Sequence, residues 1–395
     1  MRKKPELLAP AGNLEKLKIA CAAGADAVYV GTPVFGLRKY ADNFSFDELA
    51  EGIDWAHARG RQVYVVLNGF AFDDDIERLE KVLPRLAETG PDAFIISDLG
   101  VHRVSQALTT IPTHVSTQAS ITNAAGCAYW SQLGAKRIIL AREVSLSECA
   151  QIQSEVPIEL EIFVHGAMCA SYSGRCVISN YASGRDSNRG GCVQSCRHHY
   201  HVQNHNGDET LSLPVMNAKD LMGLRQLPQI MDIHIASIKI EGRMKSNLYV
   251  ANAVSAYRQA IDALMERTDL SPQEWLDLEH QVSDVSNRQF NSGFLEGRLD
   301  APNNTAFSGY EKRVEFVGTV KASIPDVGLF LEVRSPFGLG DALEIQTTTG
   351  WQVLQTETLH NVNGDPLAKC QPNTVVRLPW MGDVNPLHLV RKRYA

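Results

Sequence analysis

What most constrains this chain is a rhythm. Over its first 245 residues, eight short runs rich in β-branched and aliphatic residues alternate with amphipathic helical stretches. The runs are Glu6–Ala9, Ala27–Val30, Val63–Leu67, Ala93–Ser97, Thr113–Ser116, Arg137–Leu140, Leu160–Val164 and Ser237–Ile240. Between them stand helix-start signals, including the capping boxes Ser45-Phe46-Asp47-Glu48 and Ser145-Leu146-Ser147-Glu148. Eight strands, each followed by a helix, within about 250 residues predict a (β/α)8 barrel of the TIM type. The competing doubly wound sheet lacks its G-x-G-x-x-G after the first strand.

The rhythm breaks once. About seventy residues separate the seventh run from the eighth, against roughly thirty elsewhere. A long insertion in this fold belongs on the C-terminal face, where barrel active sites lie. After the eighth run, Tyr249, Val250, Ala253, Val254, Tyr257, Ile261, Leu264 and Met265 recur at helical spacing, and Ser271-Pro272-Gln273-Glu274 starts a second helix. The expected organisation is a catalytic barrel over 1–285, a linker over 286–308, and a small C-terminal all-β barrel over 309–395. The last rests on short alternating strands such as Arg313–Val320 and Leu329–Val333, punctuated by Gly328, Gly338, Gly340, Gly350 and Gly364.

Composition sets the compartment. Hydrophobic residues make up 44% and charged residues 21%, as in ordinary globular proteins. No apolar run approaches ~20 residues, so no membrane helix is expected, and the apolar stretch after the basic Met1–Lys4 is too short for a signal peptide. A reducing cytoplasm follows, in which the eight cysteines are thiols or metal ligands rather than disulfides. The net charge of −7 argues against a nucleic-acid partner on average. Locally the balance reverses: within 165–200, Arg175, Arg185, Arg189 and Arg197 face only Asp186, and the C-terminus carries Arg391, Lys392 and Arg393.

That segment also holds Cys169, Cys176, Cys192 and Cys196, spaced C-x6-C-x15-C-x3-C. Half the chain's cysteines thus fall within 28 residues, among arginines that favour thiolates. Only Cys192 and Cys196 have the close spacing usual for zinc, whereas iron–sulfur clusters tolerate looser spacings. Iron–sulfur, zinc and four reduced buried thiols all remain open on spacing alone. Cys21, Cys127 and Cys149 lie in helical stretches and Cys370 in the β region, as packing residues.

The run from Glu161 through His165, Cys169, Gly174, Arg175 and Cys176 to Ser179 resembles the signature of the collagenase-like peptidase family. So do Arg185-Asp186…Asn188-Arg189-Gly190…Cys192…Cys196-Arg197, Lys239-Ile240-Glu241-Gly242-Arg243, Leu8-Ala9-Pro10-Ala11-Gly12 and Met216-Asn217-Ala218-Lys219-Asp220-Leu221. The resemblance spans essentially the whole chain. It implies a chemistry other than the family name: prephenate-dependent tRNA uridine hydroxylases, a ribosomal-RNA cytidine hydroxylase and an oxygen-independent ubiquinone hydroxylation pair belong to it. It implies a 4Fe–4S cluster on Cys169, Cys176, Cys192 and Cys196, although some relatives place the fourth ligand where Met222 stands here.

On that footing prephenate is the expected cosubstrate and a tRNA wobble uridine the expected target. An electron donor or a second subunit completes the set of partners, and zinc remains the alternative metal. Prephenate is a dicarboxylate, which calls for guanidinium forks; Arg142, Arg175, Arg197 and Arg243 are the candidates. His165 and Glu241 are the candidate proton carriers. The rival functions are a peptidase and a ubiquinone-pathway hydroxylase. The first finds no H-E-x-x-H or G-x-S-x-G here, and the second has relatives without the appended β region. Trp351, Trp380 and the Arg391–Arg393 run are candidates for RNA contact, or a core aromatic pair and a solvated tail.

Overall fold

The computed structural model describes residues 2–32, 43–203, 210–298 and 303–394. Within them the chain divides into two compact units. One comprises Met1–Met244, Ala253–Glu279 and Asn287–Tyr310; the other comprises Lys245–Asn252, His280–Ser286 and Glu311–Ala395. Residues 299–302 of the expected linker lie outside the described residues.

In the first unit eight parallel strands close on themselves: Glu6–Ala11, Ala27–Gly31, Gln62–Leu67, Ala93–Ile96, Thr113–Val115, Arg137–Ile139, Glu159–Ala167 and Ser237–Ile240. Closure is made by the eighth strand, which pairs with the first at Glu6↔Ser237 and with the seventh at Ser237↔Glu161. The fold is the (β/α)8 barrel that the alternation predicts. Helices Leu14–Ala22, Phe46–His57, Asp73–Glu88, Leu99–Leu108, Ala124–Gln132 and Leu146–Glu155 fill the first six crossovers. Ser45 and Ser145 each form the reciprocal capping box with Glu48 and Glu148, a local signal contributing about 1 kcal/mol per helix. No helix among the described residues is long and apolar enough to cross a membrane.

The interior of the barrel is not a plain stack of aliphatic layers. Toward the N-terminal ends of the strands it holds a charged network centred on Glu161, which is fully buried. Lys239 Nζ donates to Glu161 at 3.0 Å and Arg137 Nη1 at 3.2 Å. Arg137 also reaches Glu6 at 2.6 Å and Glu159 at 2.9 Å, while the Tyr64 hydroxyl donates to Glu6 at 2.7 Å. Burial alone would raise the Glu161 carboxyl, but Lys239 and Arg137 outweigh it and hold the group below the usual carboxylate range.

His114 lies beside this network with its ring 4.8 Å from that of Tyr64. Burial, and then the cation of Arg137, depress its pKa from 6.5 to about 3. The folded protein therefore refuses a proton that the unfolded chain accepts below its ordinary pKa, and stability falls as pH falls through that window. Between pH 7 and pH 5 this single group is expected to remove roughly 2 kcal/mol. Urea midpoints at the two pH values check it. His114→Phe, which has no proton site, should flatten the difference.

The second unit is an antiparallel sheet of seven strands. Their order is Gly350–Gln355, Ala342–Thr347, Leu389–Arg393, Val314–Ile324, Gly328–Val333, Val375–Leu378 and His360–Asn361. It encloses one core that includes Val317, Leu331, Phe337, Leu343, Val376 and Val390. Its terminal cations are tied down. Arg391 stacks 3.9 Å from the Trp351 ring and donates to Glu344 at 2.5 Å. Lys392 meets Asp341 at 2.6 Å, and Arg393 meets Glu344 and Asp284, each at 3.2 Å. The run is therefore not a solvated tail: its charges are paired within the unit.

Candidate functional site

The insertion leaves the seventh strand at its C-terminal end, the end where barrel chemistry is placed. Its first half, Cys169 to Cys176, is laid onto the turn Thr117–Ala119 and onto the end of the sixth strand. The Ser173 N–H donates to Glu143 Oε1 at 3.1 Å, and the Arg142 N–H donates to Ser173 Oγ at 3.1 Å. Ser120 Oγ donates to the Ser173 carbonyl at 2.6 Å, and Arg175 Nε donates to Ser120 Oγ at 3.1 Å. Gly174 sits at φ +75°, where a Cβ would lie 2.0 Å from the Gln118 carbonyl oxygen. No side chain fits there without lifting the loop. Gly174→Ala is expected to remove about 2 kcal/mol or more, read as a lower thermal midpoint and faster tryptic cleavage after Arg175.

The second half is held against the third crossover. The Phe70 N–H donates to the Asn188 carbonyl at 3.0 Å, and Asn188 Nδ2 donates to the Cys176 carbonyl at 2.9 Å. Arg189 pairs with Asp75 at 2.6 Å, its guanidinium 4.4 Å from the Phe72 ring. The insertion then returns to the barrel through a short strand, Asp220–Met222, antiparallel to the end of the seventh strand with Met222 opposite His165.

Arg197 closes the insertion on itself. Its Nη2 donates to the Met168 carbonyl at 2.5 Å, and its Nη1 donates to Asn217 Oδ1 at 3.0 Å and to the Ala218 carbonyl. Asn217, fully buried, spends its own Nδ2 on the carbonyls of Asn304 and Phe307. Asp220 is buried against Arg288 at 3.2 Å. The Asn217–Leu221 motif is thereby a set of clasps that fixes where Cys169 and Cys196 begin and end.

All four thiols of the insertion are free; Cys169 and Cys192 are exposed and Cys176 and Cys196 partly buried. The Cys196 thiol is pushed up by burial, with Arg197 opposing and Cys169, Cys192 and Cys176 adding to the rise. Among the described residues no three His, Cys, Asp or Glu side chains converge tightly enough to share a single ion. A closed zinc site needs four ligands within about 2.3 Å of one ion. A 4Fe–4S cluster holds each thiolate on its own iron, so its ligands stand farther apart. Four thiols on one segment are the donor type that iron–sulfur clusters take.

The candidate arginines separate by what they touch. Arg142 stacks 4.1 Å from the Phe163 ring, and its Nη1 lies 3.6 Å from Cys169 Sγ. Arg175 is exposed beside Ser120. Arg243 is buried, 3.4 Å from Asn43 Oδ1, with its carbonyl accepting from Lys16 Nζ at 3.0 Å. Glu241 stands partly exposed at the end of the eighth strand, its N–H donating to the His165 carbonyl at 2.8 Å. The His165 ring is buried between those of Tyr257 (5.5 Å) and Phe290 (5.4 Å). Arg142 and Cys169 are thus brought together, whereas the Nη groups of Arg197 are committed within the protein.

Four further polar atoms mark the mouth. Asn68 Oδ1, Gln118 Oε1, Glu143 Oε2 and Arg142 Nε are buried with no hydrogen-bond partner. Each such atom costs about 1–3 kcal/mol unless something satisfies it, and a bound water, ion or ligand is one explanation for a buried group left unsatisfied. In the sequence, only their place after predicted strands hinted at this.

The fold defines the class: a (β/α)8 barrel whose seventh strand runs at its C-terminal end into a segment carrying four free thiols. The chain belongs to peptidase family U32, whose family model matches residues 12–305. It is 38% identical over 405 residues to tRNA hydroxylation protein P1 of Bacillus subtilis, covering 99% of this chain and 95% of that protein. It is 42% identical over 322 residues to tRNA hydroxylation protein P of Helicobacter pylori, covering 77% and 75%. A 23S rRNA 5-hydroxycytidine synthase of Escherichia coli is 33% identical over 345 residues, covering 86% of this chain and 52% of that protein.

Proposed function

We propose that the protein is an RNA hydroxylase, and specifically that it converts a tRNA wobble uridine to 5-hydroxyuridine without molecular oxygen, with prephenate as the source of the hydroxyl group. The relatives named tRNA hydroxylation proteins, one matched over nearly the whole of both chains, support the reaction class. The observation that carries the site assignment is the contact of Arg142 with Cys169, at 3.6 Å, beside buried polar atoms that lack partners.

Cys169, Cys176, Cys192 and Cys196 would hold a 4Fe–4S cluster, which supplies one-electron transfer at the barrel mouth when bound. Arg142 keeps a cation beside the sulfur atoms, held in orientation by the Phe163 ring. With Arg175 and Arg243 it offers the guanidinium groups that the two carboxylates of prephenate need. Arg197 acts one step back, holding Met168 and hence the adjoining Cys169 in place. Glu241 is assigned as acceptor of the proton leaving carbon 5 of the base, and His165 fixes its position through the 2.8 Å backbone bond. Prephenate gives up hydroxide as it loses carbon dioxide and becomes aromatic, a redox-neutral change. Replacing C5–H with C5–OH therefore releases one proton and two electrons, and a two-electron acceptor, on a redox partner or a second subunit, belongs to the system. The cytoplasm, where thiols stay reduced, is the compartment this reading calls for.

The test is an anaerobic incubation of the purified protein with prephenate and unmodified tRNA, followed by nucleoside mass spectrometry. Formation of 5-hydroxyuridine that requires prephenate is expected. Unmodified tRNA together with cleavage of gelatin would transfer the site to peptide chemistry.

A further inference from the structure

The sheet of the C-terminal unit has a second face. Leu329, Leu331, Leu359, Val376 and Leu378 are buried in its core. Side chains alternate along a strand, so Phe330, Arg377 and His360 point to the opposite side, and each is only partly covered. They stand in register across three adjacent strands, Phe330 opposite Arg377 and Arg377 opposite His360. Cross-strand neighbours lie about 5 Å apart. The row is therefore a ring, a guanidinium and an imidazole over about 10 Å.

Arg377 differs from the other basic residues of this sheet. The terminal cations are all paired, and Glu332, two residues beyond Phe330, is taken by Lys321 at 2.9 Å and Arg334 at 3.1 Å. Arg377 has neither an ion pair nor a hydrogen bond among the described residues. Its stem crosses Gly328, where a Cβ would meet Arg377 Cγ at 2.9 Å, and its guanidinium ends 3.6 Å from the Cβ position of Gly364. The side chain thus passes over two glycines, Gly328 in the neighbouring strand and Gly364 in the turn after His360–Asn361.

We propose that Phe330, Arg377 and His360 form a stacking platform for unpaired bases of the RNA substrate, an assignment that rests on the RNA-hydroxylase reading. Flat π-faced and guanidinium groups accept any base by stacking. Residues 311–395 carry nine Lys and Arg against nine Asp and Glu. A neutral surface of this kind offers little to the phosphates of a duplex and favours a single strand, whose bases are free to stack.

The test uses the full-length protein and fluorescence anisotropy with a labelled oligouridylate of about ten nucleotides, and with the same strand in a duplex. Phe330→Leu and Arg377→Ala are each expected to weaken single-strand binding about tenfold. Arg377→Ala should also reduce the salt slope by about 0.7. Wild-type binding to the duplex should be the weaker of the two and insensitive to both changes. Variants with wild-type thermal midpoints that bind the oligouridylate as tightly as wild type overturn the platform. Loss of oligouridylate binding in the variants, with no 5-hydroxyuridine formed by the wild type, would leave the platform standing and remove the hydroxylase reading. Normal product formation with unchanged KM for tRNA in Phe330→Leu would do the reverse.

Discussion

Replacing Glu161 with alanine is expected to destabilise the barrel by roughly 3–5 kcal/mol, enough to leave much of the protein unfolded. Two buried cations depend on this carboxylate: Lys239, whose amine is 3.0 Å away, and Arg137 at 3.2 Å. Removing it strands Lys239 between the Tyr29 and Phe163 rings, 4.5 Å and 5.6 Å from their centroids, with no anion in contact. Burial already pushes the lysine down, and the loss of Glu161 would favour its neutral form. The wild-type stabilisation is fully present above the ordinary carboxylate range and is lost as pH falls below it, because the folded carboxyl sits lower than the unfolded one. Denaturant midpoints of wild type and Glu161→Ala at neutral pH test this. A difference under about 1 kcal/mol would mean the network is not held by this residue.

The second large effect is at the thiols. Cys169→Ala and Cys176→Ala are each expected to eliminate bound iron and a broad absorption band near ~400 nm after anaerobic purification. Hydroxylation should fall at least about 100-fold. Cys127→Ala is the control: that thiol is buried in a helix, burial pushes its pKa up to about 11, and iron content should not change. Full iron in Cys169→Ala, or one equivalent of zinc in the wild type, contradicts the assignment of these ligands.

The barrel was legible because its signal is local and repeated. Each strand is a short apolar run, and Ser45 and Ser145 announce their helices with capping boxes that the structure reproduces. The interior charges were not legible as such. Glu161 and Lys239 lie within motifs that suggest chemistry, yet they satisfy each other inside the barrel. Whether a buried charge is paired depends on residues 78 positions apart in the chain, and no local pattern reports that. Arg197 illustrates the same limit. Its proximity to Cys196 suggests an anion site, but the acceptors that occupy it, Met168, Asn217 and Ala218, become its neighbours only when the insertion folds back. Trp351 and Arg391 read as RNA contacts, or as a core aromatic and part of a solvated tail, yet pairing of Glu344 opposite Arg391 joins them into one stacked, neutralised unit. The crowding of four thiols into 28 residues was visible in the sequence, but spacing alone left iron–sulfur, zinc and reduced thiols open. The approach of Arg142 to Cys169 was not visible there, because it joins two different strand ends.

The measurement that reaches the central claim most directly is isotopic. Prephenate labelled with heavy oxygen in its hydroxyl group, incubated anaerobically with the iron-loaded protein and unmodified tRNA in ordinary water, should yield 5-hydroxyuridine that carries the heavy isotope. Heavy oxygen in the nucleoside, absent with Cys176→Ala, is the predicted result. An unmodified uridine, or a hydroxyl group drawn from water instead, would contradict it.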